Sequence, residues 1–101
     1  MTRTGSDPLR FVVVVRDGAG ESRHEVTLSE AHYRRLAAGR QSPEQCIEAA
    51  FRFLLDREPK ESILARFDVT AISRYFPEFE RELPRYLSRA GGHESENQPE
   101  N

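Results

Sequence analysis

The side chains with the widest chemical range in this chain are three histidines and one cysteine. His24 and His32 stand eight residues apart, and His93 lies among glycines and acids near the end of the sequence. A zinc-protease helix needs two histidines four residues apart, and His24 is followed by Glu25 without a second histidine at that spacing. The sequence therefore predicts no metal site and no catalytic histidine, and we expect ordinary surface or turn histidines.

Cys46 falls in the first turn of a predicted helix, where the helix dipole lowers the pKa of a thiol. Its neighbours Gln45 and Glu48 bring no cation to stabilise a thiolate. Cysteine is also commonly a small buried apolar residue, and that is the expectation here. Because no acid, base and nucleophile converge in the sequence, we expect no enzymatic activity and no cofactor.

Gly18 and Gly20 could suggest a loop that cradles a phosphate. A dinucleotide site needs a strand, three spaced glycines and then a helix, whereas a second strand follows these glycines. Phe11 to Val15 is an aromatic and β-branched run, and the alternation from Arg23 to Leu28 is typical of a strand with one wet face. The glycines therefore predict the turn of a β-hairpin.

Helix signals follow the hairpin. An apolar stripe that stops at Gly39 predicts a first helix over about 30–38. Ser42 is a capping residue with proline after it and a glutamine placed to reach back, so a second helix is predicted from there to about Arg57. Its apolar face makes it the expected centre of the core. Residues 63–87 continue near a helical period, with Pro77 beginning a separate helix and Pro84 kinking or dividing the run.

The run from Phe11 to Val15 places apolar side chains on both faces of its strand. The second helix can cover one face, and the C-terminal aromatic segment or another subunit must cover the other. We therefore expect an α+β domain, with an N-terminal β-hairpin and three or four α-helices packed on it, that forms a homodimer. The domain should span residues 10–89, with a disordered N-terminus over 1–9 and a disordered acidic tail over 90–101.

Composition limits the kinds of partner. The 101 residues suffice for a single domain, and the apolar share of 37% and charged share of 32% predict a modest core. The net charge of −2 disfavours unspecific binding to a phosphate backbone. No window is long and apolar enough for a membrane helix, and the first residues contain no hydrophobic signal run, so a cytoplasmic protein that binds no membrane is expected.

Four aromatic residues in the C-terminal third are the candidate partner-binding surface: Tyr75, Phe76, Phe79 and Tyr86. Their near-helical spacing is equally typical of core packing, so both interpretations stay open. Glu78, Glu80 and Glu82 lie between them and disfavour single-stranded nucleic acid, which requires positive charge. The leading hypothesis is a non-enzymatic protein-interaction or regulatory domain that binds itself or another protein.

The stretch RHEVTLSEAHYRRLAAGRQSPEQCIEAAFRFLL, residues 23–55, resembles the ribbon-helix-helix family of bacterial DNA-binding repressors and antitoxins. It has a short alternating strand, a helix that ends at Gly39, and a second helix with a similar apolar pattern. The resemblance implies a transcriptional regulator whose strands enter the major groove of double-stranded DNA. Arg23, Glu25 and Thr27 would then face the bases, and Ser42 would meet a phosphate. The run FDVTAISRYFPEFERELPRYL is also similar to segments of short bacterial proteins, a resemblance that implies no activity.

Overall fold

The computed structural model describes residues 2–6, 8–37 and 41–91, with side chains over 8–37 and 41–87. The elements are β1 (Thr2–Ser6), β2 (Leu9–Asp17), β3 (Gly20–Leu28), α1 (Glu30–Ala37), α2 (Pro43–Leu55), a 3-10 turn (Lys60–Ser62), β4 (Arg66–Asp68), α3 (Thr70–Tyr75) and α4 (Phe79–Gly91). The predicted α+β fold, a β-hairpin with helices packed on it, is confirmed. None of the helices in these ranges is long and apolar enough to cross a membrane.

The hairpin is formed by β2 and β3, which pair antiparallel from Leu9 opposite Leu28 to Asp17 opposite Gly20. Gly20 has a φ of +129°, a conformation that side chains disfavour, and the Asp17 carboxylate accepts a hydrogen bond from the Ala19 amide at 2.8 Å. The predicted glycine turn is therefore confirmed.

The predicted disorder of the N-terminus is wrong for Thr2–Ser6. This segment is β1, and it pairs antiparallel with β2 along the edge that β3 does not use. Its sequence is polar, so no apolar pattern signals a strand. The strand forms through backbone hydrogen bonds to β2, and those bonds do not require apolar side chains. Leu9, also placed in the disordered segment, begins β2 and is buried. The disordered tail predicted over 90–101 is wrong for residues 90 and 91, which belong to α4, and residues 92–101 lie outside the described part of the chain.

The second helix is the centre of the core, as predicted. Ser42 accepts a hydrogen bond from the Gln45 amide at 3.1 Å, while the Gln45 side chain accepts from the Ser42 amide at 2.8 Å, which completes the capping box. The helix ends at Leu55, two residues before the predicted limit. Phe53 is fully buried, and its ring lies 5.0 Å from that of Phe79 in α4. This edge-to-face contact joins the two long helices.

Only one face of the sheet is covered by the described helices. Phe11 and Val13 are buried beneath them, whereas Val12 is half-buried and Val14 is 37% exposed on the other face. Of the two covers predicted for this face, the C-terminal aromatic segment is excluded, because α4 packs against α2 instead, and cover by another subunit stays a prediction. Within the described residues of one chain, the valine run is therefore covered on one face only.

The stretch after α2 differs most from its predicted helix. Residues 66–68 form β4, which runs parallel to β3 and extends the sheet to the order β1-β2-β3-β4. The Glu25 amide donates to the Ala65 carbonyl at 2.7 Å, and the Val69 amide donates to the Thr27 carbonyl at 2.9 Å. Three residues are too few to show a strand period, so helical spacing of nearby apolar residues gave the wrong assignment.

The C-terminal helices follow the predicted break at Pro77. Helix α3 ends at Tyr75, and α4 begins at Phe79. Pro84 lies inside α4 without dividing it, so the predicted division is wrong. Proline removes a single backbone donor, and the packing of α4 through Phe79 and Leu83, both fully buried, keeps the helix continuous.

Asp68 fixes the junction between β4 and α3. Its carboxylate accepts hydrogen bonds from the hydroxyl of Thr27 at 2.6 Å, and from the amide and hydroxyl of Thr70 at 3.0 and 2.6 Å. Partial burial raises the pKa of Asp68, but these hydrogen bonds outweigh it and hold the pKa below its usual value. The charged carboxylate therefore ties the start of α3 to the hairpin.

We expect Phe79→Ala to reduce the free energy of unfolding by about 3–5 kcal/mol, because it leaves a cavity beside Phe53. Tyr75→Ala should change it by less than about 0.5 kcal/mol, because Tyr75 is 68% exposed. Urea unfolding of the two variants beside the unaltered chain measures the difference. Equal destabilisation by both substitutions would contradict the separation of core from surface.

We expect Asp68→Asn to lower stability at neutral pH. The depressed pKa means that the stabilisation is present above the ordinary aspartate pKa of about 3.9 and is lost as the pH falls through the folded-state value. The two proteins should therefore converge in unfolding free energy in acid. Denaturation between neutral pH and strong acid tests this, with Glu30→Gln on the exposed face of α1 as a control. A difference that stays constant into strong acid would refute the assignment.

Candidate interaction groove

An apolar groove opens at the sheet edge, between the end of α2, residues 58–64, β4 and α3. It encloses about 370 Å³, and apart from Glu58 and Ser62 its lining is apolar or aromatic. The largest lining side chains are Leu54, Ile63, Leu64, Phe67, Tyr75 and Phe76. A concave apolar site with few polar groups is the usual form of a binding site in proteins.

Two of the lining side chains project from the groove rather than fill it. Tyr75 is 68% exposed and Leu64 is 48% exposed, whereas Ile63 and Ile72 at the base are buried. Isolated exposed apolar residues are common on protein surfaces. Their position at the rim of one apolar groove makes a continuous patch, which is typical of a contact site.

His24 holds the loop that forms one wall of the groove. The ring is buried on β3, with Nδ1 2.8 Å from the Leu64 carbonyl and Nε2 2.8 Å from the Ser22 hydroxyl. The ring also packs against Phe51 at 5.4 Å. The prediction of a surface histidine is therefore wrong for His24, which is buried and positions Leu64.

Lys60 anchors the other end of the same segment. Its side chain is buried, and the ammonium lies 3.0 Å from the Asp17 carboxylate in the hairpin turn and also contacts Glu61. Hydrogen bonds to Glu61 and Asp17 raise the pKa of Lys60, and the bond to Lys60 lowers the pKa of Asp17. The charged ammonium of Lys60 thus holds the 3-10 turn against the hairpin.

Two opposite charges near the groove have no partner among the described residues. The half-buried Glu58 carboxylate lines the groove, and the exposed Arg74 guanidinium precedes Tyr75 on α3. Neither side chain makes a hydrogen bond or ion pair within the described ranges. By contrast, Arg66 on β4 lies 3.5 Å from Glu25, and Lys60 is doubly paired. The groove therefore combines an apolar floor with an acidic group that has no partner in the described residues, and Arg74, which has none either, precedes the groove residue Tyr75 on α3.

The four aromatic residues predicted to bind a partner do not share one surface. Tyr75 and Phe76 line the groove. Phe79 is 0% exposed and belongs to the core, so it cannot contact a partner. The Tyr86 hydroxyl donates to the Asp56 carboxylate at 2.6 Å in a separate polar cleft. Helical spacing did not distinguish these environments, because burial depends on which element packs against each side chain, such as Phe53 of α2 against Phe79.

The sequence analysis missed Glu58, Leu64 and Phe67 as groove residues. Leu64, which is exposed shortly after the proline break at Pro59, was the one weak sequence signal for a surface loop here. Their convergence with Tyr75 depends on β4, which pairs with a strand about forty residues earlier in the chain. Local patterning carries no information about that pairing.

The residues implied by the ribbon-helix-helix resemblance are placed as follows. Arg23 and Glu25 are exposed on β3, the Thr27 hydroxyl donates to Asp68, and Ser42 caps α2. Strand β3 lies between β2 and β4, so its two edges are both paired over Glu25 to Thr27. A ribbon shared between subunits would need one of these edges to be free.

Two further reactive groups in the described part of the chain, Cys46 and His32, are buried, and His93 lies outside that part. Burial raises the pKa of the Cys46 thiol to about 11, so it stays protonated near neutral pH, which fits the small apolar residue that was predicted. His32 is also buried rather than on the surface, and its Nε2 lies 3.5 Å from the Glu80 carboxylate without a hydrogen bond. Within the described ranges, no three histidine, cysteine or acidic side chains are placed to hold a metal ion.

Comparison of the chain with protein-family models, with curated proteins and with solved structures finds no match.

Proposed function

We propose that this chain is a small, non-enzymatic protein-interaction or regulatory domain that binds a partner through the groove beside Tyr75. The observation that carries the proposal is the apolar groove of about 370 Å³ with Tyr75 and Leu64 uncovered at its rim. The partner is a protein surface, either a second copy of the chain or another polypeptide.

The energetics support a protein partner. Burying a fully exposed leucine or aromatic side chain contributes about 1.5–3 kcal/mol, so two partly exposed side chains and the groove floor supply a useful part of a binding free energy. Tyrosine is enriched among the residues that dominate interfaces, because it combines a rigid apolar ring with a polar end. Tyr75 is 68% exposed and contributes little to packing, so it is available to contact a partner.

The surrounding structure favours a preformed site. The 3-10 turn is pinned by Lys60, Leu64 is held through its carbonyl by His24, and α3 is tied by Asp68. A groove with fixed walls needs less ordering when a partner binds, which increases affinity for a given contact area.

DNA binding through Arg23 stays a prediction from the resemblance. In its favour, Arg23 is exposed on β3 and makes no ion pair in the described residues. Against it, β3 would have to release β4, and with it the Asp68 contacts that hold α3. The groove needs no such rearrangement, so it is the preferred site.

Photo-crosslinking can test the groove directly. We expect benzoylphenylalanine placed at Tyr75 or at Leu64, in cells that naturally make this protein, to form polypeptide adducts on irradiation. Arg81 on α4 is the matched control position, since its side chain is 78% exposed but lies outside the groove.

Adducts at the two groove positions and none at the control support the proposal. Equal adduct formation at all three positions, or no adducts at the groove positions, would argue against it.

A further inference from the structure

We propose that the occupant of the groove is a second copy of this chain, in a two-fold dimer where Tyr75 of each subunit enters the groove of the other. In the same interface Arg74 of each subunit pairs with Glu58 of the other. The inference rests on the proposed function and specifies its partner.

A two-fold interface uses the same patch on both subunits, so that patch must contain both a projecting and a receiving part. This surface contains both. Tyr75 projects at the rim with 68% of its surface exposed, and the apolar groove lies directly beside it. Rotation of one subunit about an axis near Tyr75 places each ring over the other subunit's groove.

The charges of Glu58 and Arg74 are also complementary between two copies of the chain. Among the described residues that line the groove, Glu58 alone is charged, so the groove suits an apolar side chain that lies next to a cation. Arg74 and Tyr75 are consecutive residues of α3, and in the proposed dimer they supply the cation and the aromatic ring to the other subunit. Within a single described chain, neither charge is paired, whereas a two-fold axis creates two Arg74–Glu58 pairs at once.

Arginine suits this position for a physical reason. Its planar guanidinium can bind a carboxylate through two parallel hydrogen bonds and can also lie against an aromatic ring. Glu58 is half-buried already, and a partner ring over the groove would remove water around it and strengthen the attraction. A neutral or acidic residue at position 74 would leave Glu58 uncompensated in the interface.

The inference can be tested by charge reversal and light scattering. At high micromolar concentration we expect the unaltered chain to have a mass of 23.2 kDa, twice the 11.6 kDa of one chain. Glu58→Arg and Arg74→Glu alone place like charges together at both contacts, and each should weaken self-association by about a hundredfold. Arg81→Glu on α4 is the control and should remain dimeric.

Mixing the two single variants gives the decisive result. A heterodimer of Glu58→Arg with Arg74→Glu has opposite charges at both contacts, so two monomeric proteins should form a dimer when combined. The double variant with both substitutions in one chain should also dimerise with itself. Circular dichroism of each variant shows whether it folds, and if Glu58→Arg does not fold, Glu58→Lys replaces it in the mixture.

Three results would overturn the inference: a monomeric unaltered chain, single variants that stay dimeric, or a mixture that stays monomeric. Single variants that stay dimeric would place the interface elsewhere, such as the open sheet face at Val14. These failures are separable from failure of the proposed function. A monomer that still crosslinks from Tyr75 to a different polypeptide retains the interaction function and excludes only the self-association.

Discussion

The pairing of β4 with β3 is the constraint on which the rest of the surface depends. Three residues run parallel to β3. They are held by the strand pairing, by flanking backbone hydrogen bonds at Ala65 and Val69, by the His24 contact to Leu64 and by the Thr27 bond to Asp68. This pairing is non-local, so closing the intervening chain costs conformational entropy that the contacts of β4 must offset. Once docked, β4 sets where α3 begins, and α3 forms one wall of the groove.

The core explains why the groove is left open. Phe53 gathers Phe79, Phe76 and Tyr86 around it at 5.0 to 5.8 Å, and α4 is drawn onto α2 by these contacts. Because α4 packs on α2, the six-residue helix α3 lies at the end of the sheet, and it is too short to fill the groove there. The result is a concavity with buried isoleucines below and Tyr75 and Leu64 above.

Polar groups around the groove divide into two kinds. Lys60, Asp17, Asp68 and His24 are each bonded within the chain and serve to position loops. The side chains of Glu58, which lines the groove, and of Arg74, which precedes Tyr75 on α3, have no hydrogen-bond or ion-pair partner in the described residues. A partly buried charge without a partner is unfavourable. A surface that keeps one beside an exposed aromatic ring has the composition of an interface whose other half is absent.

The amino-acid sequence determined four features: the hairpin, α2 with its capping box, the break at Pro77 and the α+β class. Turns, caps and amphipathic periods are local signals, so the sequence carries them directly. The tertiary structure alone decided the strands at Thr2–Ser6 and Arg66–Asp68, since neither has a strand pattern of its own. The first is formed by pairing with the neighbouring strand β2, and the second by pairing with the distant strand β3. It also decided the environments of the aromatic residues. Phe79 and Tyr75 have the same spacing signal, but α4 buries one against Phe53 and α3 turns the other outward. Burial depends on what lies opposite a side chain, and that is fixed only when the elements meet.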